Sequence, residues 1–303
     1  MSIFLKSLLG LLLIPFFLNA ELDIKTHKTL FLSSLSKDPL KRNNPSYPLS
    51  RVLRTISADD TDDIPKVARA GEVFRENATT YQLMHNGVKI VKDCYYAPWI
   101  SDIIYGLRGH HEPQEERVFY EVLKYIPGNA TMIELGAYWG YYSLWFSQAI
   151  PGARNYLIEP DKELLAIGKE NFLLNNKTGF FYNGYAGARV NDDANYQGTE
   201  LILIDPFLAK ENIDHVHILH SDIQGAELEM LKTCEQSIQS KKIDYFFVST
   251  HSDEIHENCL KFLKRHKYMI IAEHTMSQSV SYDGLIVAKR KGVKGPDHVF
   301  IKK

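Results

Sequence analysis

Cysteine is scarce in this chain. Cys94, Cys234 and Cys259 are the three among 303 residues, odd in number and without a C-x-x-C pair, so neither a disulfide framework nor a cysteine-rich zinc site is encoded. Buried small apolar groups are the expectation for all three. With 18 Gly and 12 Pro, a collagen-like or low-complexity chain is excluded. An excess of either charge is also lacking: 35 basic residues against 37 acidic leave a formal charge of -2. No global basic field exists to hold a phosphate polymer, and nucleic acid is not expected as a partner. A long apolar run is missing as well, since the stretch from Leu8 to Leu18 is interrupted by Pro15 and is too short to span a bilayer comfortably. No internal repeat is visible.

What remains is the composition of an ordinary globular protein, 45% hydrophobic, 12% aromatic and 24% charged. Its length suits one large domain or two small ones. Residues 1–20 resemble a signal-peptide core ending at Leu18-Asn19-Ala20, with bulky Leu18 a poor residue before a cleavage point. The alternatives are an N-terminal helix packed on the domain and membrane association through residues 3–18. The basic residues that follow (Lys25, Lys28, Lys37, Lys41, Arg42) then favour a cytoplasmic body. Residues 21–80 read as a polar linker or loosely packed helical arm, 81–290 as the main domain, and 291–303 as a basic, solvated tail.

Between Asn129 and Ala288 short apolar runs alternate with stretches at helical period, the pattern of a parallel sheet covered by helices on both faces. Strands are expected at 131–135, 156–158, 180–182, 216–220, 245–248, 269–272 and 285–288. The last two are separated by too few residues for a parallel crossover and should form an antiparallel hairpin. The fold class is therefore α/β and Rossmann-like, with a mostly parallel seven-stranded sheet and an antiparallel last strand.

Ligands of such sheets bind beyond the carboxyl ends of the strands. After the first strand comes Glu134-Leu135-Gly136-Ala137-Tyr138-Trp139-Gly140. Gly136 permits a tight turn and close approach of a ligand to backbone, and Gly140 lets the next helix pack near the strand. A carboxylate in this loop repels phosphate and attracts an amino group. Glu159, at the end of the second strand, stands where an acidic side chain accepts hydrogen bonds from ribose hydroxyls. A nucleoside with a cationic amino-acid tail satisfies both, and S-adenosylmethionine is such a molecule. Glu134, Gly136, Ala137, Tyr138, Gly140, Glu159 and Asp222 are the expected cofactor contacts.

Asp222 follows the fourth strand and faces either the cofactor's methionine end or the incoming nucleophile, or caps the next helix. His251 follows the fifth, where a neutral imidazole can take the proton of a substrate hydroxyl. His217, His220 and His256 are its rivals. In Gly109-His110-His111-Glu112-Pro113-Gln114-Glu115-Glu116 the residues His111, Glu112 and Glu115 are candidates for contacting a polyhydroxyl acceptor, against the alternative of a Pro-started helix with acidic residues in its first turn. No metal is expected, because Asp222 with Asp253 supplies too few ligands.

The stretches Ile133–Leu144, Ile158-Glu159-Pro160, Asp222-Ile223-Gln224-Gly225-Ala226-Glu227-Leu228-Glu229 and Ser281–Ala288 resemble the FkbM family of methyltransferases, over roughly residues 85 to 290. Gln224 stands where that family usually has glutamate. The resemblance implies a class I methyltransferase fold, S-adenosylmethionine as cofactor, and O-methylation of a sugar, polysaccharide or related natural product, with a small molecule or glycan as partner. Three other readings compete. A nicotinamide oxidoreductase fails on Tyr138, where the dinucleotide fingerprint needs glycine. A nucleic-acid or protein methyltransferase draws on Ile204-Asp205-Pro206-Phe207, which lacks the second proline of an amino-methylating motif. A non-catalytic or membrane-tethered binding module would keep the fold without turnover.

Overall fold

A computed structural model describes residues 23–187 and 199–303. The apolar segment 1–20 and most of the Gly- and Asn-rich stretch 183–200 lie outside the described residues. Among the described residues, no helix is long and apolar enough to cross a membrane.

The described residues open with α1 (Ile24–Lys37), α2 (Pro39–Arg42) and α3 (Leu49–Ser57), followed by β1 (Val73–Glu76), β2 (Thr79–Leu83) and β3 (Lys89–Val91), then α4 (Trp99–Gly106) and α5 (Pro113–Leu123). The alternating region supplies β4 (Thr131–Leu135), α6 (Tyr141–Ala149), β5 (Arg154–Glu159), α7 (Lys162–Leu174), β6 (Phe180–Ala186), β7 (Glu200–Ile202), α8 (Ile204–Lys210) and β8 (Val216–Ser221). It continues with α9 (Glu227–Lys232), α10 (Glu235–Gln239), β9 (Ile243–Thr250), α11 (Asp253–Arg265), β10 (Tyr268–His274) and β11 (Gly284–Arg290).

The central sheet runs β10-β11-β9-β8-β4-β5-β6-β7. All pairs from β9 to β7 are parallel, while β11 is antiparallel to both β9 and β10. This is the mostly parallel, Rossmann-like α/β architecture with an antiparallel strand expected above, with eight strands rather than seven. The extra strand, β7, has only three residues, too few to show a period. Alternate residues feed two apolar layers: Met132 joins the core on one face, Ile133 and Leu135 the core on the other. Strand order reverses between β4 and β8, so their carboxyl ends flank the crevice.

The segment read as a linker or loose arm is packed helix. Val52 and Ile56 of α3 and Leu35 of α1 are buried in the same core as Met132 and Phe247. Thr55 and Arg54 of α3 donate to the carbonyls of Val280 and Ser281. A polar average concealed this, because α3 carries its apolar residues on one face only. The small antiparallel sheet β1-β2-β3 was not expected either. At the other end Val299 and Ile301 are buried, and the Lys302 N–H donates to Asp60, so the basic tail lies against the body.

The single helix expected after the fourth strand is broken into α9 and α10. Its face of Met230, Leu231, Cys234 and Ile238 is nevertheless buried as one. Asp205 accepts the N–H groups of Gln236 and Ser237 at the start of α10, so the aspartate of the faint amino-methylating motif caps a helix.

Candidate active site

Backbone geometry at the mouth of β4 is set by the loop 136–140. Gly136 has φ +70°, and a Cβ there would stand 1.8 Å from the Asp222 carbonyl oxygen. No side chain fits, so the loops after β4 and β8 close on each other. Gly140, at φ +68°, starts α6, and its added Cβ would meet Leu157 at 3.0 Å. It does not line the cavity, so its contribution is to seat α6 on the sheet rather than to touch a ligand.

The crevice holds a cavity of about 910 Å³ lined by Glu134, Gly136, Ala137, Tyr138, Glu159 and Asp222, with Tyr95, Tyr96, Asp161 and Gln224 among the other walls. Glu134 lies on the face of β4 that packs on α6, and its Oε2 accepts the Ser143 N–H at 3.0 Å. One oxygen thus satisfies a first-turn donor of α6, and burial pushes the carboxyl's pKa up. Glu159 accepts the N–H groups of Tyr138 (3.1 Å) and Asp161 (3.0 Å), one on each oxygen. Burial pushes its pKa up to about 7. Both carboxylates retain accepting lone pairs toward the cavity. This fits a ligand with an amine and a diol, and the volume suits a nucleoside with an amino-acid tail.

Beyond Asp222 the wall becomes more acidic. His251 Nδ1–H donates to Glu227 Oε1 at 2.7 Å, while its Nε2 lies 3.2 Å from Asp222 Oδ1 and 3.3 Å from Asp283 Oδ1. Burial lowers the imidazole's pKa, but Asp222, Glu227 and Asp283 outweigh it and hold the group cationic, up to about 10. The neutral imidazole titrating near working pH is therefore corrected: three carboxylates surround it. Burial, reinforced by Asp222, pushes Asp283 up to about 7. Gln224, at φ 56°, donates from its side chain to Asp222 Oδ1, an arrangement available to an amide and not to glutamate.

A second cavity of about 460 Å³ adjoins the first, sharing Tyr95, Tyr96, His111, Glu112 and Gln224 with it. Its remaining walls include Arg51, Trp99, Ser281, Tyr282 and Asp283. The Arg51 guanidinium is stacked between Tyr282, at 3.6 Å, and Trp99, at 4.6 Å. His111 and Glu112 thus line both cavities. His111 is buried between Glu112 (3.2 Å) and Glu116 (2.6 Å), which overcome its burial and push its pKa up to about 10. Glu115 departs from expectation. It lines neither cavity and turns instead to His220 and Ser249.

The rival histidines each have a partner of their own, although His220 also lines the larger cavity. His217 Nδ1 accepts the Thr131 N–H, His220 pairs with Glu115, and His256 bonds Thr250. Asp253 sits exposed in the first turn of α11. Arg51, Tyr95 and Trp99 were missed by sequence reasoning, because no spacing links them to the motif text, and Glu227 and Asp283, although inside it, were given no role of their own.

The family model described as Methyltransferase FkbM domain matches residues 182–270, from β6 through β8 and β9 into β10. Among curated proteins none matches the chain. Similar solved structures include methyltransferase FkbM from Methylobacillus flagellatus, 17% identical, covering 63% of this chain and 54% of that one at a TM-score of 0.44. TrmK of M. capricolum, in complex with S-adenosyl-homocysteine, is 15% identical over 60% of this chain and 71% of its own, at 0.39. An rRNA-methylase structure from Clostridium thermocellum is 11% identical over 58% and 94%, at 0.42.

Proposed function

We propose that this chain, whose residues 182–270 match the methyltransferase FkbM domain, methylates a hydroxyl of a sugar or related polyhydroxylated natural product, using S-adenosylmethionine. When bound, that cofactor supplies an electrophilic methyl carbon on a sulfonium. Glu159 accepts the ribose hydroxyls and is held for this by the Tyr138 and Asp161 N–H groups. Glu134, with Gly136, Ala137 and Tyr138, receives the amino-acid end. The second cavity holds the acceptor, its rings from Tyr95, Trp99 and Tyr282 offering faces to a sugar and its carboxylates accepting hydroxyl hydrogens. His251, with Asp222 and Asp283, stands between the two cavities, where the acceptor hydroxyl would be oriented and would give its proton to the Asp283 carboxylate, since the cationic imidazole cannot take it.

The observation that carries this reading is the pairing of a cavity bearing Glu134 and Glu159 with an aromatic cavity that shares five of its lining residues and sets Arg51 and His111 against Glu112 and Asp283. Ring faces beside hydrogen-bonding groups of both signs suit a small, hydroxyl-rich molecule. Incubation of the protein with methyl-labelled S-adenosylmethionine and a panel of saccharides tests it by mass spectrometry. A mass gain of one methyl group on a saccharide is expected. Labelling confined to RNA or protein acceptors overturns it.

A further inference from the structure

The group formed by Asp222, His251 and Asp283 has the spacing of a metal triad. A small divalent cation of the Mg²⁺ type holds ligands at about 2.1 Å in an octahedron, so neighbouring ligand atoms stand about 3.0 Å apart. Here Nε2 of His251 lies 3.2 and 3.3 Å from one oxygen of each aspartate, and all three atoms lie within 4.8 Å of one another. Nε2 is buried, yet it has no hydrogen-bond partner of proper direction, so the two carboxylates flank its axis rather than accept along it.

The surroundings match what orients a metal-binding imidazole. Such a ring donates its other N–H to a carboxylate, which fixes the tautomer and turns the remaining lone pair to the ion, the Nε2 proton of the metal-free imidazolium being released to solvent as the ion binds. Glu227 does this at 2.7 Å. Its side chain has no exposure, it accepts the Gly225 N–H on the same oxygen, and its Oε2 has no partner. Three carboxylates around one imidazole leave an excess of negative charge that a divalent cation neutralises.

Position supplies the purpose. Asp222 lines the larger cavity and Asp283 the smaller, so an ion between them sits where the two meet. We propose that Asp222, His251 and Asp283 bind one divalent cation of the Mg²⁺ or Mn²⁺ class, with an open coordination position for the acceptor's hydroxyl. Two carboxylates and a single imidazole favour these ions over softer ones. The hydroxyl's identity rests on the methyl-transfer reading, whereas the metal site stands without it.

The full chain is titrated with Mn²⁺ by electron paramagnetic resonance and, separately, with S-adenosylhomocysteine by calorimetry. Expected is a single saturable Mn²⁺ site that Mg²⁺ displaces, weakened roughly 100-fold or more by Asp283→Asn and about 10–100-fold by Glu227→Gln. Far-ultraviolet circular dichroism of each variant verifies the fold, and S-adenosylhomocysteine affinity of Asp283→Asn should equal that of the parent. Absence of saturable Mn²⁺ binding in the parent, or binding that both folded variants retain unchanged, overturns the cation site. If S-adenosylhomocysteine binds and Mn²⁺ does not, the metal site alone fails. The converse result leaves the metal site standing and removes the cofactor assignment.

Discussion

Glu115 Oε1 lies 2.7 Å from His220 Nε2, joining α5 to the end of β8 across a buried ion pair that Ser249 completes with a hydrogen bond to the other carboxylate oxygen. Both side chains are buried, and His220 forms part of the cofactor cavity wall. The pair therefore holds the wall in place from behind.

Breaking a buried pair from one side strands the other partner. Glu115→Ala should destabilise the fold by about 3–5 kcal/mol, read as a lower urea midpoint at unchanged slope. A loss below about 0.5 kcal/mol, the range of ordinary surface substitutions, contradicts the pairing.

Glu159 gives a pH dependence. Its carboxyl is raised from the ordinary 4.5 to about 7, first by burial and then by Asp161 and Asp222, against the two N–H donors that lower it. Because the folded value lies above the unfolded one, this group costs stability progressively as pH rises from the unfolded value to about 7, and the cost is constant beyond. Cofactor binding, which uses the ionised form, should weaken by up to about tenfold per pH unit below 7. Calorimetry with S-adenosylhomocysteine between pH 5 and 8 checks this, and Glu159→Gln should bind weakly with that slope removed. A slope identical in parent and variant refutes the role.

Gly136 tolerates no side chain, since a Cβ would lie 1.8 Å from the Asp222 carbonyl oxygen and φ is +70°. Gly136→Ala should lower stability by about 2 kcal/mol or more and separate the loops that shape the cavity. Thermal unfolding of the variant measures it, and a melting temperature equal to the parent's goes against the close approach.

The N-terminal helices enter the chemistry through Arg51, stacked between Trp99 and Tyr282. Arg51→Ala should raise the acceptor KM about tenfold through loss of one such contact pair, while the affinity for S-adenosylhomocysteine stays unchanged. Equal effects on both ligands would assign Arg51 to the fold instead.

Much of this was legible beforehand, for definable reasons. Strands such as Tyr245–Val248 and Met269–Ala272 are short apolar runs, and strand ends border the crevice of such a sheet, so Glu134, Glu159, Asp222 and His251 could be chosen as candidates from position alone. Asp283 could not, because it precedes β11 after an irregular loop and meets His251 only through the antiparallel pairing of β11 with β9. Glu227 read as one residue of a family motif, and its bond to His251 emerges only in three dimensions. Glu115 lies one helical turn from Glu112 in the sequence, yet the two side chains diverge, one to His220 and the other to the cavity. The helix α3 was hidden by its polar average.

Calorimetric titration of the full chain with S-adenosylhomocysteine at pH 8 tests the central claim, that the crevice between β4 and β8 holds a sulfonium nucleoside through Glu134 and Glu159. A single saturable site is expected, weakened at least about tenfold in Glu159→Gln. No heat of binding at millimolar ligand, or binding that Glu159→Gln leaves untouched, would contradict it.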